Sequence, residues 1–79
     1  MKPRARRPAL ALEAEAVNRQ QLGRLGAEVR LSRKRRRLTQ ASLGRRAGVA
    51  QMTVSRLERG HGGGLSLDTW QRVALALGL

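Results

Sequence analysis

The sequence predicts an all-α fold, a small bundle of short helices. Apolar residues recur at spacings of three and four from Leu22 to Leu77, the repeat of a helix with one buried stripe. Gly48, Gly60 and Gly78 each follow such a run, where a helix stop favours a left-handed backbone. With 79 residues the chain has room for one small domain and a tail.

The organising stretch is Leu38 to Gly60. Thr39 suits an N-cap, its hydroxyl accepting an orphan backbone N–H, with Gln40 opening the first turn. Leu43 and Ala47, four apart, give this short helix an apolar edge, and Gly48 ends it. Val49 is the apolar residue of the turn. A second short helix follows from about Ala50 to Arg59, with Val54 and Leu57 facing inward and Gly60 as its stop. Gly44 falls where the two helices cross, a place that excludes a branched side chain. An ordinary antiparallel pair shares this periodicity, but the turn, the crossing glycine and the basic surroundings together specify a helix-turn-helix unit.

The chain divides into two regions, residues 1–21 and the domain proper, 22–79, which contains this unit. Met1–Pro8 is a basic, proline-containing arm, either laid along phosphates or a solvated leader. Ala9–Gln21 is rich in helix formers and reads as an extra helix, separate or running into the next one, with Leu10, Ala14 and Val17 on one thin apolar stripe. Gly23 and Gly26 are expected to weaken the junction that follows. The first domain helix is expected from Leu22 or Leu25 to Arg36, with Leu22, Leu25 and Val29 facing inward. Arg33 to Arg37 end it with five positive charges, which complement a helix C-terminus and attract phosphate.

Beyond the central unit, His61-Gly62-Gly63-Gly64 reads as a flexible connector. No strand precedes it and no Lys-Ser/Thr follows, as a phosphate cradle requires. Ser66 caps a last helix with Asp68 in its first turn. Leu67, Trp70, Val73, Ala74 and Leu77 are its expected buried face, Leu75 falls outside, and Gly78 is the stop.

Charge points to a partner. Seventeen Lys and Arg against five Asp and Glu give a net charge of +12, carried mainly by arginine, whose planar fork suits phosphates and guanine edges. Nucleic acid is the first partner such a balance suggests, an anionic membrane or acidic protein the second. With Trp70 the single aromatic of the Phe, Trp and Tyr class, single-strand binding by base stacking is disfavoured. There is no cysteine and one histidine, so no thiolate or histidine cluster is available for a metal, and no cofactor is expected. No acid pair or nucleophile–base pair stands out, so the chain is not expected to be an enzyme. No apolar run approaches the length of a membrane span.

Leu38-Thr39-Gln40, Leu43-Gly44, Gly48-Val49, Val54 and Glu58-Arg59-Gly60 resemble the helix-turn-helix of the phage repressor and Cro family, the xenobiotic-response-element type, over about Leu25 to Leu79. The resemblance implies a lambda-repressor-like bundle in which four domain helices carry the unit, behind an N-terminal extension. It implies sequence-specific binding of double-stranded DNA by a cytoplasmic, nucleoid-associated transcription regulator, a repressor acting as a homodimer. By position it assigns base contacts to Gln51, Met52 and Arg56 with Thr53 nearby, and phosphate contacts to Gln40, Arg59 and Arg45 or Arg46. Glu58, near a helix C-terminus, needs a cation, and in the family the arginine matching Arg33 pairs with it.

Against the family pattern a fifth helix is expected to be missing from these residues, so either Ala9–Gln21 substitutes for it in dimerisation or the chain is the front piece of a longer protein. Two alternatives remain open. One is an antitoxin-type protein that also holds a partner protein through Leu75 and residues 9–21. The other is the N-terminal DNA-targeting module of a larger protein.

Overall fold

The computed structural model of the chain describes residues 9–79, with their side chains from Glu13 onward; the basic arm Met1–Pro8 and the side chain of Leu10 lie outside the described residues. Four α-helices follow in order: α1 Ala9–Arg35, α2 Gln40–Ala47, α3 Gln51–Glu58 and α4 Leu67–Ala76, with a short 3-10 turn at Gly62–Gly64 between the last two. The fold is all-α among the described residues. α3 packs against both α1 and α2, and α4 covers α2.

Local chemistry explains each boundary of α2. The Thr39 hydroxyl accepts from the Ser42 backbone N–H at 2.9 Å, and the Ser42 hydroxyl accepts from the Thr39 N–H at 3.4 Å, a reciprocal capping box. At the other end Gly48 adopts φ +73°, and its turn turns the chain directly into α3. At Gly44 a Cβ would lie 2.7 Å from the Val49 carbonyl oxygen, so only glycine lets α2 sit this close to the turn.

The core is small and shared by all four helices. Leu43, Val54, Leu57 and Val73 are fully buried, Leu77 nearly so, with Val29 and Ala47 beside them. Leu38, Val49, Leu65, Trp70 and Ala76 close over this cluster. Each fully buried Leu or Val contributes about 1.5–3 kcal/mol of transfer free energy.

Four expectations are corrected. First, the first domain helix does not start at Leu22 or Leu25: α1 runs unbroken from Ala9 to Arg35, with Gly23 and Gly26 inside it. Gly26 is buried against α3, where a Cβ would overlap the Leu57 carbonyl oxygen. Second, Gly26 takes the inward position expected of Leu25, which is 49% exposed. The inward row is Leu22, Gly26, Val29 and Arg33, a spacing invisible when only apolar side chains are counted. Third, Leu67 is 72% exposed, because it opens α4 a turn before the packed positions Trp70, Val73 and Leu77 begin. Fourth, the glycine run is a built turn: Gly62 is buried under the Trp70 ring, where a Cβ would stand 2.6 Å from Cζ2, and the indole Nε1 donates to the Gly62 carbonyl at 3.2 Å.

Ser66 caps α4 by accepting from the Thr69 N–H at 3.1 Å. Asp68 in its first turn pairs with Arg72 at 2.9 Å, an exposed i,i+4 pair of small energetic consequence.

Candidate nucleic-acid interface

The recognition unit is held by one ion pair with three further anchors. Arg33 of α1 donates from Nε to Glu58 Oε2 at 2.6 Å and from Nη2 to Oε1 at 3.0 Å, while its Nη1 reaches the Leu38 carbonyl at 2.8 Å. Gln40 of α2 donates from Nε2 to Glu58 Oε1 at 3.1 Å. The Glu58 side chain is 3% exposed and that of Arg33 11%, so the carboxylate is nearly dry. This joins α1, the turn after it, α2 and α3 at a single point. Hydrogen bonding to Glu58 raises the Arg33 guanidinium above its ordinary range, against the lowering effect of burial, and the Glu58 charge adds to the rise.

With its inner face fixed by Val54 and Leu57, α3 turns Gln51, Met52 and Arg56 outward. Met52 is 64% exposed. The side chains of Gln51 and Arg56 make no hydrogen bond or ion pair with the rest of the described chain. Thr53 is half-buried beside them. Ala50 occupies the N-cap of α3 in an extended conformation without a side-chain cap bond; Thr53 N–H turns back to the Ala50 carbonyl at 3.0 Å, and the N–H groups of Gln51 and Met52 are left to other acceptors. Two free N–H groups and outward polar side chains, on a helix held from behind, can hydrogen-bond base edges or phosphate oxygens.

Exposed arginines lie on α2 and at the end of α3. Arg45 and Arg46 are exposed on the last turn of α2, and Arg59 is exposed as the C-cap of α3, its Nε donating to the Ser55 carbonyl at 3.4 Å. Gln40 stands at the first position of α2, with one amide hydrogen committed to Glu58. His61 is exposed and shares a shallow recess with Arg56, Gly64 and Leu65.

Of these features, the Gln40–Glu58 bond and the role of Ser42 in the capping box were not anticipated from the sequence. The second had a usable signal, since a hydroxyl three residues after Thr39 is a capping-box spacing. The first had none, because it depends on how α2 crosses α3.

The Helix-turn-helix family model, of Cro/C1 type, matches residues 29–79, more than half of the chain. The chain belongs to the Cro/C1-type helix-turn-helix family. No curated protein and no solved structure matches it. For this Cro/C1-type chain the matched span starts at Val29, inside α1, and takes in the whole Arg33–Glu58 linkage and all of α2 to α4. It is a DNA-binding regulatory family rather than an enzyme family. Among the described residues no helix is long and apolar enough to cross a membrane, and no cluster of three His, Cys, Asp or Glu could hold a metal ion.

Proposed function

We propose that this chain is a sequence-specific transcriptional regulator, a repressor that occupies double-stranded DNA with α3 lying N-terminus first in the major groove. The observation that carries this reading is the outward face of α3: Gln51 and Arg56 are exposed and unpaired on a helix whose other face is locked into the core. Gln51 suits adenine N6/N7, Arg56 forks onto guanine O6/N7, and Met52 offers an apolar contact to a thymine methyl, with Thr53 alongside. Gln40, Arg59 and Arg45 or Arg46 hold phosphates on either side and set the register. The net charge of +12 supplies the long-range attraction. Location in the cytoplasm, associated with the nucleoid, accompanies that role.

Selection of bound duplexes from a random pool tests the reading. A palindrome with half-sites about one helical turn apart, roughly 34–36 Å, supports a homodimeric regulator. Recovery of no consensus at all rejects sequence-specific recognition.

A second reading adds a protein partner, as an antitoxin-type regulator has. Leu75 is 73% exposed on α4, and Val17 is 49% exposed on the part of α1 that precedes the helical body. Co-purification of a stoichiometric partner lost on Leu75→Asp supports it, and a chain that purifies alone from its native cells opposes it.

A further inference from the structure

We propose that Arg37 is a DNA phosphate contact, kept in a backbone position that favours glycine. The inference deepens the DNA-binding reading and rests on it.

All four helices close in the same way. The second residue past each C-cap region returns its N–H to a carbonyl five residues back, and the residue before it bonds three back, the Schellman pattern. For α2 these bonds are Val49 N–H to Gly44 O at 2.9 Å and Gly48 N–H to Arg45 O at 3.3 Å. For α3 they are His61 to Arg56 at 2.9 Å and Gly60 to Leu57 at 3.1 Å. For α4 they are Leu79 to Ala74 at 2.9 Å and Gly78 to Leu75 at 3.0 Å, and for α1 Leu38 to Arg33 at 3.0 Å and Arg37 to Lys34 at 2.9 Å. The residue that must turn left-handed is Gly48 at φ +73°, Gly60 at φ +85°, Gly78 at φ +79° and, in α1, Arg37 at φ +58°. Arg37 is the one non-glycine residue with positive φ among the described residues.

An L side chain in that conformation carries a steric cost that glycine avoids. No side-chain bond of Arg37 among the described residues offsets it. Arg37 is exposed, and its guanidinium makes no hydrogen bond or ion pair with the described residues. Its neighbours in the basic run are employed differently. Arg33 is spent on Glu58 and Leu38, and the Arg36 guanidinium lies beside Gly78 at the negative end of α4. Arg37 lies in the turn between α1 and α2, three residues before Gln40, the proposed phosphate contact that opens α2. Strained residues cluster where chains bind ligands, which makes an exposed, strained arginine beside a proposed phosphate contact a candidate for the same role. A phosphate oxygen is the ligand that a lone exposed guanidinium in this turn would take.

The test measures thermal unfolding and the salt dependence of binding to a labelled random-sequence duplex for wild type, Arg37→Gly, Arg37→Lys and Arg19→Gln. Arg37→Gly is expected to melt higher yet bind severalfold more weakly, with the log–log salt slope reduced by about 0.9. Arg37→Lys should keep the wild-type slope without the gain in melting temperature. Arg19→Gln removes the same charge from α1 away from this turn and should leave the slope unchanged. Wild-type affinity and slope in Arg37→Gly overturn the inference while leaving DNA binding intact. An equal loss in Arg19→Gln also overturns it, since the effect is then bulk charge. A wild-type chain that binds no duplex overturns the DNA reading itself.

Discussion

Gly26 of α1 lies directly against the backbone carbonyl of Leu57 in α3, with no room for a methyl group between them. Three residues earlier Gly23 faces open space, with nothing within 4 Å of where its Cβ would be. The same substitution is therefore expected to have opposite signs at the two sites. Gly23→Ala should stabilise by about 0.5–1 kcal/mol through helix propensity. Gly26→Ala should destabilise by about 1–3 kcal/mol, because the overlap outweighs the propensity gain. Urea denaturation of the two variants checks this; two changes of the same sign would mean that α1 and α3 are further apart than described.

Arg33→Met leaves the Glu58 carboxylate almost dry with Gln40 as its remaining side-chain donor. Breaking a buried pair from one side costs about 3–5 kcal/mol, so this variant should be largely unfolded or melt far lower. Glu58→Gln keeps an acceptor for Gln40 and Arg33 and should lose less. A cycle with the double variant, read by thermal unfolding, measures the coupling, and a coupling near zero refutes a structural role for the pair.

Ala50→Ser places a hydroxyl at an N-cap already in the extended conformation, φ −68° and ψ 150°. It should raise stability by about 1 kcal/mol, seen as a higher melting temperature. An unchanged melting temperature would show that the first N–H groups of α3 already have solvent partners as good as a side chain.

Arg56→Ala should flatten base preference in a competition assay and leave binding to random duplex nearly intact. Arg59→Ala should weaken every duplex alike and reduce the salt slope by about one. Loss of specific and random binding together in Arg56→Ala would reassign it to a phosphate.

The helix-turn-helix was readable because its positions are chemically distinctive: a hydroxyl cap at Thr39, an apolar pair at Leu43 and Ala47, and a left-handed glycine at Gly48. The inward stripe of α1 was less so. Its middle member, Gly26, has no side chain to register in a hydrophobic pattern, and its meaning comes from a neighbour 31 positions later in the chain, Leu57. Leu67 misled for a related reason, since periodicity places a residue on a face but says nothing about where the opposing surface stops. The glycine run looked like slack chain because the residue that organises it, Trp70, approaches from the following helix. Candidate base contacts were assigned by position within the unit, and the structure adds that Gln51, Met52 and Arg56 are exposed and Thr53 half-buried.

Because Trp70 is the single tryptophan in a chain without tyrosine or phenylalanine, almost all of its near-ultraviolet absorbance and fluorescence come from one ring. That ring sits over Gly62, bonded to its carbonyl, on the loop that leads out of α3. Emission therefore gives an unlabelled optical readout of whether this loop is seated, usable for both melting and duplex titration in the same cuvette.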